Sequence, residues 1–288
     1  MAKVIGVITA RMASKRLPGK VMKTVAGKSL FAHHVERMLK VKGLSGVFLA
    51  TSNDPFNKVL IEEAERLGGA WYAGAEQDIV ERHIKLCERE SADAVIRVPC
   101  DSPLFDIESA SAFVEIFKRE YQDYIYVSNM TMLQGTVKEL VSCNALKNSH
   151  KYYGGPAITI HIIENMNKYK TLGVDVDIDL SRPEYRLTVD YQVDFELIHH
   201  VYEALYRGEP LKLRDVYVWL DDNPRIAYIN KGVEVSGINK YIGNLMDKPL
   251  FSIIERGGKA VMLDEQKQIV NPSDIKKRFT ELFPEVKW

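Results

Sequence analysis

Short apolar runs alternate with helical stripes through the first half of the chain. Residues 4–9 (Val-Ile-Gly-Val-Ile-Thr) are almost wholly apolar, the pattern of a strand covered on both faces of a parallel sheet. Leu30, Phe31, His34, Val35, Met38 and Leu39 then recur at helical spacing, and residues 46–51 read as a second strand. Asp54-Pro55 is an N-cap followed by a first-turn proline; Val59, Leu60, Ala64 and Leu67 continue one face until Gly68-Gly69 stops the helix. Residues 70–72 form a short third strand in this reading. Asp78, with Glu81 three residues on, resembles a capping box opening a helix over 79–90. A strand at 94–98 follows. Asp106 then caps a helix carrying Ile107, Ala110, Phe113, Val114 and Phe117, and a strand at 124–128 closes this half. Such alternation predicts an α/β fold around a mainly parallel sheet with right-handed crossovers.

The regularity breaks over residues 129–185, which hold 137–140, a helical stretch at 158–166, and Asp175, Asp177 and Asp179. Alternation resumes with a strand-like Arg186-Leu-Thr-Val-Asp190, and Phe195, Ile198, His199, Tyr202 and Leu205 mark a helix. We therefore expect one α/β domain, with 129–185 inserted for second-substrate or dimer contacts. The extension 207–288 has no assigned role; segments at 216–220, 226–230, 251–254 and 260–263 read as short elements of an appended lobe.

Charge narrows the function. Lys plus Arg and Asp plus Glu are both 39 in 288 residues, giving a net charge of zero. A sequence-independent nucleic-acid binder needs a basic excess, so nucleic acid is excluded as a partner and any anion site must be a local cluster. The three cysteines are odd in number and widely spaced, which suggests neither a disulfide framework nor a cysteine zinc site. No apolar run approaches the ~18 residues that span a bilayer, and no signal peptide is visible, so a cytoplasmic protein without membrane partners is expected.

The segment Arg11-Met-Ala-Ser-Lys-Arg-Leu-Pro-Gly-Lys20 follows the first strand, where open α/β sheets bind ligands. Arg11 and Lys20 are expected to converge across a turn held by Pro18-Gly19, with Ser14 and loop amides completing a phosphate site. The spacing is not that of a P-loop. Asp101 and Asp190 each end a strand-like segment. Two such carboxylates suit Mg²⁺ bridging phosphate oxygens, since this ion takes few protein ligands. Asp106 is available to cap the next helix, which frees Asp101; Asp194 sits a helical turn beyond Asp190. The pairs His33-His34 and His199-His200 read as packing or surface residues, Cys100 as a small filler beside the site, and the Asp175/Asp177/Asp179 alternation as a solvated strand face.

The block TARMASKRLPGKVM resembles the N-terminal signature of the cytidylyltransferases that include CMP-KDO and CMP-sialic acid synthetases, nearest to the SpsF-like branch. The resemblance continues through FLATSNDP, GAEQDIVERH, IRVPCDSPLFD, GTVKELVS and RLTVDYQVDFELI, about residues 3–206. It implies a Rossmann-like (GT-A-like) nucleotidyltransferase fold, a homodimer, and Mg²⁺-dependent transfer of CMP from CTP to a small-molecule acceptor such as a sugar acid. Arg11 and Lys20 match the family's triphosphate cations, Ser14 its loop hydroxyl, and Asp101 and Asp190 its metal-holding aspartates. Further nucleotide contacts are expected at Ala10, Thr51, Ser52, Asn53, Asp78, Arg82 and Cys100. Two departures stand out: Gly155-Pro156-Ala157-Ile158-Thr159 replaces the branch's usual Arg-Glu-His-Val-Thr, and Cys100 a usual glycine. The first bears on the acceptor. A GT-A-type glycosyltransferase using a nucleotide sugar and a nonenzymatic nucleotide-binding module are the alternatives.

Overall fold

A computed structural model describes residues 2–127, 135–136, 139–152, 155, 158–174, 182, 184–233, 252–256 and 259–263. The chain begins with β1 (Val4–Thr9), a small hairpin of β2 (Thr24–Val25) and β3 (Lys28–Ser29), and α1 (Leu30–Leu39). It continues through β4 (Val47–Ser52), α2 (Lys58–Arg66), β5 (Ala70–Gly74), α3 (Ile79–Glu90), β6 (Ala94–Pro99), α4 (Ile107–Arg119) and β7 (Tyr124–Val127). Next come β8 (Glu139–Ser142), α5 (Cys143–His150), α6 (Ile160–Glu164), β9 (Thr171–Val174), α7 (Gln192–Leu205), α8 (Leu213–Asp222), α9 (Pro224–Ala227), β10 (Ser252–Arg256) and β11 (Lys259–Leu263).

The main sheet runs β11-β10-β9-β7-β8-β6-β1-β4-β5. Pairing is parallel except where β8 lies against β6 and β7 and where β10 meets β11. β1 lies inside the sheet, in register with β6 from Val4↔Ala94 to Thr9↔Pro99 and with β4 on its other side. Its side chains alternate between two cores. Val4 and Ile8 face α1, α2 and α4, while Ile5 and Val7 face α3 and α5. The apolar runs of the sequence are thus explained by a sheet covered on both faces.

Local chemistry starts the helices where expected. Asp78 accepts from the Glu81 amide at 2.8 Å, Asp106 from the Ser109 amide at 2.8 Å, and Ser29 caps α1 through the Ala32 amide. Arg37, fully buried on α1, donates to the carbonyls of Phe105 and Leu211, so α1 grips the loop that follows β6.

Three expectations need correction. Residues 186–190 form no strand: Leu187 and Val189 bury into a third core with α7 and α8, and the segment joins no ladder. The elements of the extension lie on the main body, since α8 and α9 share that core and β10 pairs with β9. The cysteines are also not all free. Cys87 near the end of α3 and Cys143 at the start of α5 form a disulfide, because both helices pack on one sheet face. Their sequence separation of 56 hides this proximity. Residues 128–134 and 175–181 lie outside the described residues, as does the Asp175/Asp177/Asp179 alternation.

Denatured, unreduced protein should therefore show one reactive thiol, Cys100, and three after reduction. Closing a loop of this length contributes about 4 kcal/mol in the chain-entropy view, so reduction should lower the denaturant midpoint accordingly. Three thiols before reduction would contradict the bond.

Candidate active site

The ends of β1, β4, β5 and β6 share one edge of the sheet, and the loops leaving them carry most of the polar residues singled out above. Ladder bonds run past β1: the Ala10 amide reaches the Ala50 carbonyl and the Cys100 amide the Thr9 carbonyl. The loop after β1 is then pinned at its base by buried Asn57. This side chain accepts from the Met12 amide at 2.8 Å and donates to Ser52 through both carbonyl and hydroxyl. Ser14 accepts from the Leu17 amide at 3.3 Å, a turn-forming contact. Gly19 takes φ +67°, the left-handed region that favours glycine, and directs the following Lys20 inward.

Lys20 is the hub. Its Nζ donates to the Val189 carbonyl at 2.6 Å and to Asp190 Oδ1 at 3.1 Å, and stands 3.9 Å from Asp101 Oδ2. The two aspartates, 89 positions apart, are brought together by backbone. The Asp101 carbonyl accepts from the Val189 amide at 2.7 Å and from Thr188 Oγ1 at 3.1 Å. Asp190 is buried and meets two more cations, Arg16 at 2.6 Å and Arg186 at 3.1 Å. Arg16 also lies over the Tyr191 ring. Asp101 keeps 31% of its side chain exposed, so it is the aspartate open to a ligand.

Arg11 does not join this hub. It pairs with Glu76, beyond β5. Around that pair stands a second group: buried Arg82, Asp78 and His150, the last two in contact at 2.6 Å. Gly74 makes room, since a Cβ there would lie 2.9 Å from Arg82 Cγ. Burial pushes the Arg82 guanidinium below its ordinary value. Burial would raise the Asp78 carboxyl, but the Glu81 amide and His150 outweigh it and hold the group below the carboxylate range. His83 is fully buried and pushed down to about 3, chiefly by desolvation. Its Nδ1 donates to the Ile79 carbonyl at 2.8 Å, leaving Nε2 to accept from Thr9 Oγ1 at 3.3 Å.

Thr51 and Ser52 are buried at the end of β4, and Asn53 is exposed just past it. Thr51 Oγ1, Glu76 Oε2, Arg82 Nε and Arg97 Nε are buried polar atoms without a protein partner, the kind that a polar ligand or water satisfies. Ala10 and Cys100 form the apolar floor. Cys100 Sγ lies 3.6 Å from His34 Nδ1, but burial pushes the thiol up, away from a nucleophile's range.

Sequence reasoning missed Glu76, His150 and Arg186. Only Arg186 left a local signal, its four-residue spacing from Asp190 and then Asp194.

This edge, with cations and carboxylates gathered over a mainly parallel sheet, is that of a nucleotide-handling α/β protein. Comparison with known proteins makes the class specific. A family model described as cytidylyltransferase matches residues 5–217, and the chain belongs to that family. An uncharacterised protein of Methanocaldococcus jannaschii is 31% identical over 80% of this chain and 96% of its own. The spore coat polysaccharide biosynthesis protein SpsF of Bacillus subtilis is 25% identical over 79% of this chain and 98% of its own. Among solved structures, a cytidylyltransferase from Leptospira borgpetersenii superposes with a TM-score of 0.73 at 22% identity, covering 82% of this chain and all of that one. The protein is thus a nucleotidyltransferase of Rossmann-like fold.

The Asp78 carboxyl has a lower value folded than its ordinary 3.8. Its contribution is therefore present above that ordinary value and lost as pH falls through the folded one. Asp78→Asn should lower stability to urea at pH 7 and lower it less at pH 3, below the ordinary 3.8. Equal losses at the two pH values would show that the carboxylate charge contributes nothing.

Proposed function

We propose that the chain transfers CMP from CTP to a sugar acid or a phosphorylated acceptor, releasing pyrophosphate, as a step in the synthesis of a surface polysaccharide or glycoconjugate. The observation that carries this reading is Lys20 Nζ held between Asp101 and Asp190 at the ligand-binding edge of the sheet. The acceptor's resemblance-based class, a sugar acid, agrees with SpsF's place in polysaccharide synthesis.

In this reading Lys20 and Arg11, with the amides and hydroxyl around Ser14, hold the triphosphate. Residues 51–53 and the Asp78–Arg82 helix start flank the nucleoside, where the orphaned atoms of Thr51 and Arg82 gain partners. Asp101 and Asp190 both bring a hard oxygen toward Lys20 Nζ. Among the described residues no third His, Cys, Asp or Glu completes a metal-binding group. That donor set fits a cation such as Mg²⁺, which draws its remaining ligands from water and phosphate. When bound, the ion supplies Lewis-acid charge at the triphosphate. An acceptor oxygen attacks the α-phosphorus in line, the bond to the bridging oxygen breaks, and pyrophosphate leaves with that electron pair. Lys20 and Arg11 meet the charge that builds on it. A phosphate or carboxylate acceptor arrives already ionised and needs no base. A reaction that consumes CTP belongs in the cytoplasm, and no helix among the described residues is long and apolar enough to cross a membrane.

A grid of nucleotides against acceptors, read by pyrophosphate release, tests the proposal. Metal-dependent release from CTP is expected. A glycosyltransferase would release none, and a nonenzymatic module would show no turnover. Lys20→Ala and Arg11→Ala should each lower turnover roughly 10²–10³-fold, the scale for one preorganised donor, and Asp101→Asn should nearly abolish it. Normal turnover in both cation variants, or full activity in EDTA, would overturn the assignment.

We also read the protein as a homodimer, built partly from the inserted residues 129–185. Light scattering should give about twice the chain mass of 32.8 kDa; the monomer value would contradict it.

A further inference from the structure

The segment that presents Asp190 is held from behind by residues outside the family match, which ends at 217. Asn230, just beyond α9, is buried. Its Nδ2 donates to Asp194 Oδ1 at 2.8 Å and to the Arg186 carbonyl at 2.9 Å. Asp194 is completely buried, and its carboxylate is saturated by donors. Arg186 Nε reaches Oδ1 at 3.0 Å, while the amides of Asp190 and Tyr191 reach Oδ2 at 2.9 and 3.0 Å. Arg186 then extends Nη2 to Asp190 Oδ2 at 3.1 Å. One carboxylate thereby fixes both the main chain and, through Arg186, the side chain of Asp190.

We propose that Asn230 is a positioning residue: through Asp194 and Arg186 it sets the orientation of the Asp190 carboxylate, so the chain beyond the family match completes the cation site. The inference rests on the nucleotidyl-transfer reading above. Its physical basis is competition. Arg186 is shared between two carboxylates, and the amide donor from Asn230 neutralises part of Asp194's demand. Remove that donor and Asp194 draws Arg186 more strongly, while the half-buried Arg186 carbonyl loses a partner. Asp190 is then less well aimed. Separate contacts brace the same segment without touching Asp190 or Asp194. Tyr185 donates to Asp221 Oδ1 at 2.6 Å and packs against the rings of Tyr217 and Tyr228.

That separation supplies the test, with Mn²⁺ as the probe, read by electron paramagnetic resonance on the full chain with saturating CTP. Partners behind a metal-ligating group typically change metal affinity about 10–100-fold. Asn230→Ala and Asn230→Asp, neither of which can donate, should weaken Mn²⁺ binding on that scale while metal-free CTP binding stays unchanged. Asn230→Gln, which keeps the amide donor, should recover much of the loss. Tyr185→Phe should lower the melting temperature and leave Mn²⁺ affinity alone. If the Asn230 variants melt earlier yet bind Mn²⁺ as wild type does, Asn230 is structural and the proposal is overturned. A different result marks failure of the underlying reading: Mn²⁺ affinity indifferent to both Asp101→Asn and Asp190→Asn removes the cation site itself, and the inference with it.

Discussion

A carboxylate shut away from water must be surrounded by positive charge or give up its own, and Asp190 is such a group. Its three cations come from two distant stretches of chain: Arg16 and Lys20 from the loop after β1, and Arg186 from the segment before α7. A buried carboxylate stripped of its cations is strongly destabilising, because its charge stays buried and unpaired. The loop after β1 and the 184–191 segment are therefore held to each other by a strong constraint. Other features serve it. Arg37 secures the loop carrying Asp101, Asn57 secures the entry to the cationic loop, and Asp101's own carbonyl anchors Thr188 and Val189.

Much of this was legible in the sequence because it is local. Asp78 and Asp106 sit where helix N-caps must, and the β1, β4 and β6 runs carry the apolar continuity of covered strands. Lys20 and Asp101 were legible because each follows a strand, and strand ends at one edge of a parallel sheet meet; Asp190 was singled out through a strand-like run that forms no strand. What failed was long-range. Leu187 and Val189 alternate as strand residues do, yet they bury against helices, and a period of two does not say which surface covers it. Arg11's partner Glu76 and Asp78's partner His150 are brought near by topology alone, with nothing beside them in the sequence to mark them. An odd number of cysteines argued against a bond that two of the three form.

Strand β8 explains one of those unmarked contacts. It runs antiparallel between β6 and β7, so the chain leaves it at the edge opposite the candidate site. Helix α5 starts there, with the Cys143 amide on the Asp93 carbonyl, and climbs back to deliver His150 beside Asp78. Helix α3 runs the other way, from Asp78 at the site down to Cys87 at the base.

The two helices are thus riveted covalently at the foot and joined by a single ionisable contact at the head. Between those two points Ala145 and Leu146 of α5 bury in one core with Val80 and Ile84 of α3, and Lys147 pairs with Glu88. The placement of His150 beside Asp78 thus depends on a helix seated about 12 Å away, at the base of the sheet.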